Sequence, residues 1–461
     1  MLRSILLPIS AAFAVLAYAP PVDAQRTLAP DSTVWAIIRE RVDAGRNVGI
    51  AVGLIDANGQ TRTFAYGPGA SGTPLDEHSV FEIGSITKTF TGAILADMVA
   101  KGTVRLDQPV AELLPTGTVV PSRGGRKITL VDLATQSSGL PRVPNNFAPK
   151  DAANPYADYD GARLLAFLAG YQLQRDIGAQ YEYSNLGVGL LGYALAAKAG
   201  KSYEQLVTER VLRPLGMSET VITLTPQLRA RLAPGHDPAG TVVKNWDLDA
   251  LAGAGALRST VHDMLRYVAA NIEPRGTSVG ANLAMTHGKR FQTTQPNISL
   301  GLAWHRLVSP HGDTIVMHDG GTAGYSTFVA FDEVRRVGVV VLSNTSSSVN
   351  DIGLHLLDDG IPLMKPPAPH KEIAVSASSL QRFVGEYPFA PNFAITVTRE
   401  DDKLMAQATG QPKFQLFPEA ETKFFLKVVD AQVEFETDAT GNVTGMVLVQ
   451  SGTRQRAPKK T

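Results

Sequence analysis

Phe81-Glu82-Ile83-Gly84-Ser85-Ile86-Thr87-Lys88 leads a turn into a stretch of apolar periodicity. The pattern predicts a helix that buries Ile94, Leu95, Met98 and Val99 and ends near Gly102. Lys88 stands three residues after Ser85, one turn up the same helix face. A serine hydroxyl is a weak nucleophile until a base takes its proton, and a lysine at this spacing is within reach of it. The start of a helix also supplies free N–H groups and partial positive charge where an oxyanion would form. The arrangement points to a hydrolase that forms an acyl-enzyme, although a Ser-x-x-Lys alone is a weak signal.

The 461 residues exceed what one compact core usually holds, so two structural units are expected. The chain is 44% hydrophobic and 19% charged, as in ordinary globular proteins. Lys+Arg and Asp+Glu are both 43, which argues against a nucleic-acid or anionic-membrane partner. No cysteine is present, which excludes disulfides, thiolate metal sites and a cysteine nucleophile. Arg3, the apolar run from Ile5 to Ala19 and the small residue closing Val22-Asp23-Ala24 read as a signal peptide over residues 1–24. Export to the periplasm or medium is therefore expected, with no membrane anchor after cleavage. The basic stretch Arg454–Lys460 reads as a solvated terminus.

Asp31 is the expected N-cap of a first helix carrying Val34, Ile37, Ile38 and Val42. Val48–Ile55 and Thr61–Tyr66 read as a hairpin around Ala57-Asn58-Gly59. A helical middle follows, with helices expected at Ile128–Gln136, Leu186–Ala199, Tyr203–Leu212 and Val261–Ile272. Strand signals return at Ser299–Leu307, Thr314–His318, Tyr325–Phe331 and Val337–Leu342. This order suggests an α/β layer, a helical region and a cleft between them. The proline-rich stretch 362–370 reads as a linker after a main domain over 25–361. Residues 371–461 then read as a small antiparallel β domain, a sandwich or barrel. Its expected strands are Phe393–Thr398, Lys403–Ala408, Phe414–Phe417, Lys423–Val429, Val433–Thr437 and Val443–Val449.

Two further elements bear on the chemistry. Tyr183-Ser184-Asn185 precedes the apolar Leu186 helix. Two nearby cations would lower a tyrosine pKa toward a range useful to a base. Asn185 offers a two-sided amide to Lys88 and to a substrate carbonyl. Taken singly, the segment is equally a helix start beside a packed tyrosine, and Tyr181 competes for the base role. His318-Asp319-Gly320-Gly321 closes a predicted strand, where glycines admit a substrate backbone. The Gly321 N–H is placed to join that of Ser85 in an oxyanion hole, although the same residues would also make a hairpin turn. No His-x-x-x-His pair or convincing metal cluster is visible, and no cofactor is expected.

The order Ser-x-x-Lys, Tyr-x-Asn, His-x-Gly resembles the superfamily of class C β-lactamases and D-alanyl-D-alanine peptidases, which also holds esterases and D-aminopeptidases. The resemblance spans about residues 31–350. It includes Leu133-Ala134-Thr135-Gln136-Ser137-Ser138-Gly139-Leu140-Pro141, Leu215-Gly216-Met217 and Thr322-Ala323-Gly324-Tyr325. It implies a mixed α/β fold, with an antiparallel sheet, flanking helices and a helical region. The tail is similar to the lipocalin-like β domain of some members. By this resemblance Ser85 is the nucleophile, Lys88 and Tyr183 share proton transfer, and Asn185 positions them. The amides of Ser85 and Gly321 bind the oxyanion, and His318 and Gly320 hold the first and third places of the substrate-binding motif.

That last motif departs from the usual Lys-Thr-Gly, whose lysine and hydroxyl hold a substrate carboxylate. A histidine is a weaker anion partner at neutral pH. Asp319 would repel a carboxylate if it faced the cleft and would favour an amine, whereas strand alternation also allows it to face away. The departure argues against an efficient β-lactamase and toward a peptidase, amidase or esterase. The reading is an exported serine hydrolase acting on amide bonds of a small molecule or short peptide. Its alternatives are a carboxylesterase, or a penicillin-binding sensor that is acylated without turnover.

Overall fold

A computed structural model describes residues 27–273, 279–364, 371–390, 393–409, 413–427, 431–450 and 453–460. The expected leader over 1–24, and residues 365–370 of the proline-rich stretch, lie outside them. Helix α1 (Asp31–Asp43) leads into the hairpin of β1 (Ile50–Ile55) and β2 (Thr61–Tyr66). The helical middle holds α2 (Thr87–Ala100), α3 (Asn185–Ala199) and α4 (Val261–Ile272). Strands β3 (Phe291–Gln292), β4 (Ile298–Leu300), β5 (His305–Val308), β6 (Thr314–Gly321), β7 (Ser326–Asp332) and β8 (Val337–Ser343) follow, then α5 (Asn350–Leu357). The antiparallel sheet runs β2-β1-β8-β7-β6-β5-β4-β3.

The central strands are apolar along their whole length because both faces of the sheet are covered. Alternate side chains point to opposite faces and so enter different cores. Val340 and Leu342 of β8 join Ala51, Phe331 and the inner face of α4. Val339 and Val341 join Val52, Phe328 and residues of α1 and α5. Each such valine contributes roughly 1.5–3 kcal/mol by leaving water. In the helical region α2 is buried on nearly every side from Thr87 to Met98, as a central helix must be. Ser184 caps α3 by accepting from the Gly187 N–H at 2.8 Å, and Gly200 ends it in a left-handed conformation at φ 64°.

Several sequence expectations change. Asp31 is the first residue of α1, Pro30 takes the N-cap position, and the Asp31 carboxylate pairs with Arg62 instead. The helix expected at Ile128–Gln136 is confined to Leu130–Ala134, because Gln136 turns to a positive φ of 58°. The strand expected at Ser299–Leu307 is broken between β4 and β5. There the Gly301 N–H donates back to the Trp304 carbonyl at 2.9 Å and Ala303 adopts a φ of 61°.

The tail forms eight antiparallel strands paired in chain order: β9 (Gly385–Ala390), β10 (Phe393–Glu400), β11 (Lys403–Ala408), β12 (Lys413–Pro418), β13 (Lys423–Phe425), β14 (Ala431–Thr437), β15 (Val443–Gln450) and β16 (Thr453–Pro458). The Lys460 N–H, just past β16, donates to the Glu386 carbonyl of β9 at 2.8 Å, which joins the two ends of the sheet in a barrel-like turn. The first and last strands were absent from the sequence expectation. The supposed solvated terminus is β16. Arg454 and Arg456 pair with Glu434 and Glu436 at 2.6 and 2.7 Å, while Ala457 is buried. Phe383, Tyr387, Phe424 and Phe435 fill a hydrophobic cluster of the tail's own.

Candidate active site

The segment before Ser85 is held by pairing Phe81–Glu82 against Arg258–Ser259, and the Ile83 N–H donates to the Leu257 carbonyl at 3.0 Å. Gly84 then turns at φ 50° into a single 3₁₀ turn, Gly84–Ile86, that runs into α2. The turn and the end of β6 approach backbone to backbone. A β-carbon on Gly84 would lie 2.7 Å from the Gly321 nitrogen. One on Gly320 would lie 2.0 Å from the Ile83 carbonyl oxygen. Only glycines permit this approach, which brings Gly321 up against the residue that precedes Ser85.

Lys88 is completely buried, and its Nζ lies 2.9 Å from Ser85 Oγ, 2.9 Å from Asn185 Oδ1 and 2.7 Å from the Ala254 carbonyl. The last two partners can only accept, so they use two N–H bonds. A neutral amine then has its lone pair left for the Ser85 hydroxyl. Burial holds the amine well below the ordinary lysine range, and the Arg142 guanidinium adds to this against the opposing pull of Asp319. A neutral Lys88 would be placed to accept the Ser85 proton.

Lys88 Nζ lies 4.9 Å and the Arg142 guanidinium carbon 5.0 Å from the centre of the Tyr183 ring. The expectation of a lowered pKa is nevertheless reversed: burial raises the phenol, outweighing the Ser85 hydrogen bond and the Arg142 charge. The group is a protonated donor at neutral pH. Tyr181 directs its hydroxyl to His305 Nε2 at 3.1 Å, and burial pushes it up to about 12.

His318 and Gly320 are buried behind the cleft wall and stand outside its lining, in contrast to the contact expected for them. His318 donates from Nδ1 to the Asp319 carbonyl at 2.6 Å. Burial lowers its pKa to about 3, with His305 and Lys88 adding to the effect, so it supplies no cation in place of lysine. Asp319 does face the cleft, opposite in charge to Arg142, and Gly321 and Asn185 also line it. The cleft holds about 520 Å³.

Four further lining residues escaped the sequence reading: Arg142, Tyr156, Trp246 and His305. Arg142 directly follows the motif ending in Pro141, and its carbonyl accepts from the Leu186 N–H at 3.2 Å, so adjacency to that motif was a usable signal. Tyr156 and Trp246 come from loops without periodicity; their rings lie 5.3 Å apart, and Asn185 Nδ2 donates to the Tyr156 hydroxyl at 3.3 Å. The glycine-rich Leu251–Leu257 segment supplies the Ala254 carbonyl that holds Lys88.

Residues 34–360 match the family model described as Beta-lactamase, and residues 369–457 match a domain of unknown function, DUF3471. The chain is 32% identical over 331 residues to D-alanyl-D-alanine-carboxypeptidase/endopeptidase AmpH of Escherichia coli strain K12, covering 66% of this chain and 83% of the relative. It is 27% identical over 421 residues to penicillin-binding protein 4* of Bacillus subtilis strain 168, covering 86% of this chain and 91% of that one. A crystal structure of a class C β-lactamase from Rhodobacter sphaeroides superposes with a TM-score of 0.59 at 25% identity, covering 68% of this chain and 94% of that chain.

Proposed function

The chain belongs to the β-lactamase family of serine hydrolases, and from that premise we propose that it is an exported amide hydrolase working on short peptides or β-lactams through an acyl-enzyme. The observation that carries the reading is the buried Lys88 amine, held by Asn185 and Ala254 and turned toward Ser85 Oγ at 2.9 Å. Ser85 Oγ bonds to the substrate carbonyl carbon as its proton passes to Lys88 Nζ. The Ser85 and Gly321 amides receive the negative oxygen. The C–N bond then breaks, and the leaving nitrogen takes a proton from the Tyr183 hydroxyl, which Lys88 replenishes. Water adds to the ester, gives its proton to the same pair and releases the acid and the free Ser85 hydroxyl. Export rests on the residue 1–24 pattern.

The likeness to AmpH and to penicillin-binding protein 4* supports a peptide or penicillin-type amide. The cleft gives further support through Arg142, a cation available to a substrate carboxylate where His318 is neutral. The test is turnover of nitrocefin, D-amino-acid p-nitroanilides and p-nitrophenyl butyrate by the purified protein. Hydrolysis of an amide substrate, lost in Ser85→Ala, is the expected result. Turnover of the ester alone would reject the amide reading in favour of a carboxylesterase, and a lasting penicillin adduct without turnover would indicate a sensor.

A further inference from the structure

Away from the cleft, the fold gathers His78, Glu219 and His262 at the surface. Their sequence spacing hides this: His78 and Glu219 are 141 residues apart, and His262 is the second residue of α4. His78 Nδ1 lies 3.0 Å from Glu219 Oε2, His262 Nδ1 lies 3.8 Å from the same oxygen, and the two imidazole rings are 4.9 Å apart. A tetrahedral ion with bonds of 2.0–2.1 Å separates neighbouring ligand atoms by about 3.3 Å, and the two measured edges bracket that value.

A second observation is independent of the spacing. Asp263 is fully buried, and its Oδ1 has no hydrogen-bond partner among the described residues although it lies 3.5 Å from His262 Nδ1. The His262 Nδ1 atom is likewise buried without a hydrogen bond. The other Asp263 oxygen is satisfied by the Glu219 N–H at 2.7 Å and the Thr220 hydroxyl at 2.8 Å. A buried carboxylate oxygen and an imidazole nitrogen side by side without a hydrogen bond are costly, and a cation at the imidazole would relieve both. Arg231 at 2.6 Å occupies Glu219 Oε1 and leaves Oε2 turned toward the imidazoles and the Thr260 hydroxyl, 3.0 Å away.

We propose that His78, Glu219 and His262 form a zinc site, with the Asp263 Oδ1 atom facing the same His262 nitrogen that would hold the ion. Two imidazoles and one carboxylate suit zinc, and three protein ligands leave a fourth position for water. The histidine side chains are 41% and 38% exposed, so the ion has a path from solvent. The site clamps the chain just before Phe81–Glu82 to the chain just after Arg258–Ser259, the pairing from which the Ser85 turn departs.

The test uses tag-free full-length protein, stripped with chelator and dialysed against zinc chloride, with magnesium chloride as control. About one zinc per chain is expected by elemental analysis, with micromolar or tighter affinity by calorimetry. At zinc about a hundredfold above Kd the thermal midpoint should rise by about 5 °C. His78→Ala with His262→Ala should abolish both effects while hydrolysis persists. If that double variant does not fold, His78→Gln alone should weaken zinc binding at least tenfold. Failure of the wild-type chain to retain zinc, or zinc affinity unchanged in the variant that folds, would overturn the site. None of these readouts depends on which bond the enzyme cleaves.

Discussion

Gly320 sits so close to Ile83 that any β-carbon on it would fall 2.0 Å from the Ile83 carbonyl oxygen and 2.3 Å from Thr327 Oγ1. This contact fixes the end of β6 against the turn that presents Ser85. Gly320→Ala should therefore push strand and turn apart. We expect a loss of about 1–3 kcal/mol of stability and about a hundredfold drop in kcat from misplacement of the oxyanion donors. Denaturant unfolding and steady-state kinetics measure the two, and a variant with normal kcat would show that the approach is not needed for catalysis.

Tyr183 and Tyr181 are separable by their partners. Tyr183→Phe removes the hydroxyl proposed to protonate the leaving nitrogen and should lower kcat by about 10²–10⁴-fold with little change in KM. Tyr181→Phe removes a bond to His305 and should leave kcat within about threefold, because that hydroxyl is not directed at the nucleophile. Equal losses in the two variants would contradict the assignment.

The charges of Asp319 and Arg142 should sort substrates. Asp319→Asn removes repulsion of a carboxylate and should raise kcat/KM for anionic amides such as nitrocefin by about tenfold, while lowering it for substrates with a free amine. Arg142→Ala should do the reverse. A substrate profile indifferent to both changes would remove these residues from recognition.

The pH dependence follows from two opposite displacements. Activity should rise along an acid limb as Lys88 loses its proton, at a pH below the ordinary lysine value of 10.5. It should fall on an alkaline limb above pH 10, as Tyr183 ionises. Lys88 also links stability to pH. The unfolded chain holds this proton up to about pH 10.5, so the contribution is full above that value and is lost as pH falls through the folded pKa. A kcat/KM profile without an acid limb, or one that Lys88→Arg leaves in place, would contradict a lysine base.

The meeting of Lys88 with Ser85 and Asn185 was legible because helix spacing and helix starts are local properties of the chain. The sequence made β1, β7 and β8 legible because apolar runs announce strands buried on both faces, and β2 legible through the Ala57-Asn58-Gly59 turn before it. It missed β9 and β16, where Pro388 interrupts one run and Arg454 and Arg456 make the other look solvated. The direction of the Tyr183 shift was hidden because it depends on competition between burial and nearby charge, which spacing does not weigh. Tyr156 and Trp246 were hidden because aperiodic loops carry them. The His78 cluster was hidden because its three members meet only in the folded chain.

The transfer of the Ser85 proton to Lys88 during acylation is tested most directly by rapid-quench mass spectrometry with a slowly hydrolysed penicillin. The account predicts a covalent adduct confined to the peptide containing Ser85, absent in Ser85→Ala and formed at least about a hundredfold more slowly in Lys88→Arg. Hydrolysis without that adduct, an adduct elsewhere, or acylation of Lys88→Arg at the wild-type rate would contradict it.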